Sequence, residues 1–213
     1  MTEMNMRNMT NLLSRMLSCL LPAILSISMS VAQAQSDDPA ENPRVLMKTT
    51  DGDITIELFA DKSPITVGNF LQYVDDGHYD GTVFHRVISN FMIQGGGFDT
   101  ELKEKPTRDP IVNESKNKLH NTRGTLAMAR TSDPDSAAAQ FFINQRSNLR
   151  LDWSGGKDGY TVFGEVIDGM DVVDIISLTD VGRANAQTAY GPTVFQDVPA
   201  VPIVILSVTR LAP

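Results

Sequence analysis

Apolar residues between positions 44 and 211 come in short runs separated by Gly, Pro, Asp and Asn, and the period of those runs changes along the chain. Val45-Leu46-Met47 and Ile54-Thr55-Ile56-Glu57-Leu58 flank Thr50-Asp51-Gly52-Asp53. Asp-Gly between two such runs predicts a β-hairpin. After Ser63-Pro64 the spacing becomes helical, with Val67, Phe70, Leu71 and Val74 on one face before Gly77. Ser63 is expected to cap this helix and Pro64 to open it. Short β-branched or aromatic runs predict strands over 82–87, 91–95, 125–129, 140–143 and 161–166, and a long closing strand over 201–211. A second helix is expected over 170–176, after Asp168-Gly169. The stretches 98–123 and 179–199 read as loops. Many short strands with two helices and turn signals between them predict a closed or nearly closed antiparallel barrel in one domain, residues 44–213.

The first 34 residues follow another logic. A polar segment with Arg7 and Arg15 precedes an apolar stretch over 16–31 and then Ala32-Gln33-Ala34, the form of a cleavable secretory signal peptide. The apolar stretch is interrupted by serines and Pro22 and falls short of the roughly 20 residues a bilayer span needs. No stable membrane insertion is therefore expected after cleavage, and residues 35–43 read as a flexible leader. Cleavage takes away the only cysteine, Cys19, so the remaining chain has neither a disulfide nor a Cys-based zinc site. It also takes away Arg7, Arg15 and Glu3, moving the net charge from -8 to -9. With no run of Lys or Arg, a nucleic-acid partner is not expected.

Candidate chemistry is densest in Phe84-His85-Arg86-Val87-Ile88-Ser89-Asn90-Phe91-Met92-Ile93-Gln94-Gly95-Gly96-Gly97. On a strand, Arg86 is costly to bury without partners. Adjacent Phe91 and Met92 cannot both face one core, so one of them should line a second apolar surface. The glycine triplet lacks GxGxxG spacing and a following Lys-Ser/Thr pair, which argues against a phosphate loop. His85 has no Ser, Cys or second metal ligand in sequence reach and reads as a structural, hydrogen-bonded histidine. His78 and His120 read as exposed loop residues, and Asp133, Asp135 and Asp152 as turn residues.

Four motifs in this order, FHRVISNFMIQGG, GTLAMAR, AAQFFIN and YTVFGEVIDGM, resemble the cyclophilin family of peptidyl-prolyl cis-trans isomerases, and most of all its secreted, periplasmic bacterial branch. The resemblance runs from about Val45 to Leu211. It implies a mainly β fold, a closed eight-stranded antiparallel barrel capped by two helices, with a substrate groove on its outer face. It places the family's catalytic arginine at Arg86 and the glutamine that orients it at Gln94. The proline pocket falls on Phe91, Met92, Phe142 and Leu151, with Gln140 and Tyr160 along the groove and the peptide-pairing backbone at Ala129 and Arg130. No cofactor is implied. The implied partners are proline-containing unfolded or nascent exported polypeptides, met by a monomer in the periplasm.

One position departs from the pattern. The family usually has an aromatic residue before Leu151, and this chain has Arg150, with its single tryptophan at Trp153. Either Trp153 roofs the pocket or the pocket opens on that side, and the missing aromatic implies weak sensitivity to cyclosporin-type inhibitors. The competing function is a holdase that binds Pro-containing segments with little turnover. A small-ligand carrier barrel is disfavoured because the motif residues suit a filled, polar-gated interior.

Overall fold

The computed structural model describes residues 42–212. The signal-peptide reading, Cys19 and most of the leader lie outside the described residues. Eight strands close an antiparallel barrel: β1 (Arg44–Thr49), β2 (Gly52–Leu58), β3 (Thr82–Ile88), β4 (Met92–Asp99), β5 (Thr125–Met128), β6 (Phe141–Asn144), β7 (Val162–Asp168) and β10 (Val204–Arg210). Around the barrel they run β1-β10-β3-β4-β6-β5-β7-β2. The two helices are α1 (Pro64–Asp75) and α2 (Met170–Ser177). Strand alternation fills the interior: Val45 and Met47 from β1 and Ile54, Ile56 and Leu58 from β2 are fully buried. Val67, Phe70, Leu71 and Val74 of α1 join the same core, as their helical spacing predicts. Phe70 packs there with its ring 5.0 Å from Tyr79 and 5.3 Å from Phe163.

The start of α1 differs from the reading of its sequence. Ser63 occupies the cap position without capping; its hydroxyl donates to the Val162 carbonyl (2.8 Å) and accepts from Asn117 Nδ2 (2.7 Å). The free N–H groups of the first turn are met by Glu114, whose carboxylate accepts from the backbone of Ile65 (3.2 Å) and Thr66 (2.8 Å). A buried serine between two competing partners is unavailable as a cap, and a distant carboxylate at the positive helix end does the same work.

The larger correction concerns 179–199, read as a loop. It is a two-stranded hairpin, β8 (Val181–Thr188) and β9 (Gly191–Pro199), outside the barrel sheet. Its apolar side is carried by small or widely spaced residues, Ala184, Ala186, Phe195 and Val198, packed with Val83, Phe98 and Leu102. Alanines alternating with Arg183, Asn185 and Gln187 give too faint a period-2 signal to announce a strand. Strand β4 also extends past the expected Gly95, to Asp99. The glycine triplet explains how: a Cβ on Gly96 (φ +84°) would come 2.8 Å from Phe141, and one on Gly97 would meet the Gln140 side chain. These glycines serve close packing between neighbouring strands.

Candidate active site

Register builds the site. Across the outer face of the sheet, Arg86 on β3 pairs with Gln94 on β4, Gln94 with Phe142 on β6, Phe142 with Ala127 on β5, and Ala127 with Val162 on β7. Residues paired across neighbouring strands project to the same face, so an arginine, a glutamine and an apolar floor form one row. Met92, two residues before Gln94, lies on that face too, and Met92, Ala127, Phe142 and Val162 form a buried cluster separate from the barrel core.

Phe91 joins this cluster, together with Leu151, Ala129 and Tyr160. The expectation that Phe91 and Met92 would face different surfaces is therefore incorrect. It took both as strand residues, whereas Phe91 ends a tight turn, its N–H donating to the Ile88 carbonyl (3.1 Å) with Asn90 at φ 56°. Period-2 alternation does not apply across that turn.

These side chains enclose a cavity of about 130 Å³. Phe91, Met92, Phe142 and Leu151 make its apolar wall, Tyr160 and the Ala129-Arg130 backbone segment its far side, and Arg86 with Gln94 its polar edge. The Tyr160 ring stands edge-on to Phe142 at 5.6 Å, and the Arg130 guanidinium lies 4.6 Å above Tyr160. Arg130 also donates to the carbonyls of Asp158 (2.7 Å) and Gly159 (3.2 Å), which holds that rim in place. The Arg150 guanidinium lies 4.7 Å over the Phe91 ring, while Trp153 is 43% exposed and takes no part in the cavity lining. Of the two outcomes foreseen for this corner, the roof of Trp153 does not form; Arg150, which is not among the lining residues, stacks its cation on the Phe91 ring.

Gln140 does not line the small cavity. It lies with Arg86 and Gln94 in an adjoining groove of about 530 Å³, bounded by the β8–β9 hairpin. The Gln94 amide donates to Gln140 Oε1 at 3.1 Å, so the hydrogen bond it makes is to glutamine. Arg86 Nε faces Asp197 Oδ2 of β9 at 3.8 Å, with both side chains close to half exposed.

His85 is almost fully buried, its ring 4.7 Å from Phe98 and 5.8 Å from Phe195. Among the described residues its Nδ1 has no hydrogen-bond partner, while a hydrogen bond between the ring and the Val83 backbone fits the structural, hydrogen-bonded histidine expected. Burial lowers its pKa to about 4, so the ring is neutral and serves as a packing element. His78, expected to be exposed, is half-buried against Tyr73, with Nε2 3.3 Å from the Gly96 carbonyl. Asp152 exceeds a turn role: its Oδ1 accepts from the Asn121 backbone (2.7 Å) and side chain (2.9 Å), and Oδ2 meets His120. Burial alone would raise its pKa, but these bonds outweigh it and hold the carboxyl below its usual value.

Reading the sequence missed the polar frame under the cavity. Asn148 Nδ2 donates to Asn144 Oδ1 (2.8 Å), and Asn144 Nδ2 to Asn121 Oδ1 (3.2 Å) and Thr125 Oγ1 (3.0 Å). All three asparagines are buried. The signal available was their position beside apolar strands; buried amides must be bonded, and here they bond one another.

The profile of the family described as cyclophilin type peptidyl-prolyl cis-trans isomerase/CLD matches residues 44–210. A peptidyl-prolyl cis-trans isomerase of Acinetobacter baylyi is 56% identical over 168 residues, covering 78% of this chain and 85% of that one. Peptidyl-prolyl cis-trans isomerase B of Escherichia coli is 53% identical, covering 78% of this chain and 98% of the relative. Isomerase A of Dickeya dadantii is 45% identical over 88% of this chain and 95% of its own. A crystal structure of a Cryptosporidium parvum cyclophilin-type isomerase superposes with a TM-score of 0.63 at 25% identity, covering 81% of this chain and 99% of that one. Register, cavity and comparisons agree that this chain belongs to the cyclophilin-type peptidyl-prolyl cis-trans isomerase family.

Proposed function

We propose that the isomerase activity of this chain is carried by Arg86 at the edge of the Phe91-Met92-Phe142-Leu151 cavity, and that it acts on X-Pro bonds of exported proteins during folding. The observation that carries the reading is the row Arg86–Gln94–Phe142, which sets a permanent cation beside a cavity sized for one small apolar group. A related cyclophilin-type isomerase of Cryptosporidium parvum, 26% identical with a TM-score of 0.62, was crystallised in the presence of the dipeptide Ala-Pro. The cavity of this chain would take a prolyl ring, with the chain before it along Ala129 and Arg130.

Rotation about an X-Pro bond breaks no covalent bond; its barrier of roughly 18 to 20 kcal/mol is lost amide resonance. In the twisted transition state the prolyl nitrogen becomes pyramidal and regains a lone pair. A donor aimed at that nitrogen stabilises the transition state more than the planar ground state. Arg86 suits this because its guanidinium stays protonated and presents a rigid fork. Exchange in tens to hundreds of seconds becomes exchange in about a millisecond through roughly 10⁵-fold acceleration, or about 7 kcal/mol. A charge-assisted hydrogen bond supplies ~2 to 3 kcal/mol. The remainder falls to the apolar wall, which grips the ring, excludes water and selects twisted conformers.

The exported setting rests on the form of residues 1–34 and on a mature chain without cysteine. A fusion of residues 1–34 to a reporter tests it: the reporter is expected in the periplasm with the leader removed after Ala34. A protease-coupled assay of an Ala-Pro peptide with residues 35–213 tests the activity. Acceleration of many thousand-fold is expected; peptide binding without acceleration would instead select the holdase reading.

A further inference from the structure

The β8–β9 hairpin places one carboxylate against Arg86, and the fold makes that placement deliberate. Gly182 pairs with Val198 and Ala184 with Phe195, so Arg183 alone faces both Gln196 and Asp197. That two-against-one count is a β-bulge, and Asp197 sits in it at φ 60°, where few residues other than Gly, Asn and Asp settle. Bulges beside functional sites re-aim a side chain. Here the side chain re-aimed is Asp197, whose Oδ2 lies 3.8 Å from Arg86 Nε.

The strand that carries the bulge is anchored on both sides. Phe195 stacks edge-on to Phe98 at 4.9 Å, and His85 packs against both rings. Val198 is buried with Val83 and Phe98. Strand β8 is tied to the segment after β4 by Gln187, which donates to the Leu102 carbonyl (2.9 Å) and accepts from Glu104 N–H (2.8 Å). At the tip, Glu104 Oε2 accepts from the Ala189 N–H at 2.7 Å. The hairpin is therefore a strut, with the carboxylate at its barrel-side end.

We propose that Asp197 is a positioning residue for Arg86. By attracting the guanidinium at Nε it biases the arginine rotamer at the boundary between cavity and groove, leaving the two terminal nitrogens for substrate. Asp197 touches no reacting atom and acts only through Arg86. The inference rests on the assignment of Arg86 to the isomerase reaction.

The test is Asp197→Asn, which removes the charge while keeping shape and tolerance of positive φ. The probe is an uncharged Ala-Pro peptide, so that salt acts on the protein alone. A half-exposed ion pair predicts a kcat about two- to fivefold lower, with KM within twofold of wild type. At 1 M NaCl, where the screening length is about 3 Å, wild-type kcat should fall to the variant's value while the variant stays put. In an Arg86→Ala background, Asp197→Asn should leave the residual rate unchanged. Equal kcat for D197N and wild type at low salt would overturn the proposal. So would an equal loss in the Arg86→Ala background, or a wild-type kcat indifferent to salt. A wild-type chain without isomerase activity would instead strike at the functional reading beneath it.

Discussion

Asn148 holds the wall of the Phe91–Phe142 cavity by its backbone: Nδ2 donates to the Phe91 carbonyl at 2.9 Å. The same amide nitrogen donates to Asn144 Oδ1, so the segment carrying Leu151 and the turn carrying Phe91 are tied to one buried frame. Asn148→Ala leaves the buried Asn144 Oδ1 without that donor and the Phe91 carbonyl with one donor fewer, at a cost of about 1 to 3 kcal/mol. Thermal denaturation should show Tm falling by about 2 to 12 °C. The Phe91 carbonyl then keeps only the Gln145 N–H (3.1 Å), so the turn is held less firmly and KM for a proline peptide should rise as well; an unchanged Tm would contradict the frame.

Glu114 caps α1 from 48 residues away along the chain, through the Thr66 N–H and hydroxyl. Glu114→Ala removes both acceptors and the negative charge at the helix start. A loss of about 1 to 2 kcal/mol is expected by urea denaturation. A variant as stable as wild type would show that the first turn is satisfied by other means.

Stability should fall with acid through His85. Burial lowers its folded pKa to about 4, from the ordinary 6.5, so the unfolded chain takes up the proton first. Its contribution is complete above about pH 6.5 and is lost progressively as pH falls toward 4, up to about 3 kcal/mol. Burial also lowers the pKa of His78, which acts in the same direction. Denaturation midpoints measured from pH 7 to 4 should flatten in His85→Gln, apart from the share that His78 and the carboxylates contribute. An undiminished slope in the variant would assign the acid sensitivity elsewhere.

Arg150 lies over the Phe91 ring, where exposed cation–π contacts contribute about 0.5 to 1 kcal/mol. Arg150→Ala should raise KM for an Ala-Pro peptide by about two- to fivefold and leave kcat near wild type, since the guanidinium acts on the cavity only through the Phe91 ring. A fall in kcat with KM unchanged would give Arg150 a role in the transition state instead.

Long-period features were legible in the sequence. The hydrophobic runs of β1, β2 and α1 predicted their elements because each buries one face in a single core. Arg86, Gln94, Phe142 and Met92 could be singled out, but only strand register shows that three of them form one row across the sheet. Phe91 was misread because a turn interrupts the alternation, and the β8–β9 hairpin because alanines carry its inner face. Glu114, Asn148 and Asp197 act on residues 48, 57 and 111 positions away, through pairings that no local pattern encodes.

The central claim is that Arg86 acts on the transition state more than on the bound ground state. Exchange NMR of an Ala-Pro peptide measures interconversion on the enzyme and Kd together, for wild type and Arg86→Ala. A charge-assisted hydrogen bond of ~2 to 3 kcal/mol predicts an on-enzyme rate about 30- to 150-fold lower, with Kd changed by no more than about threefold. Comparable losses in rate and affinity, or an on-enzyme rate that survives the substitution, would contradict it.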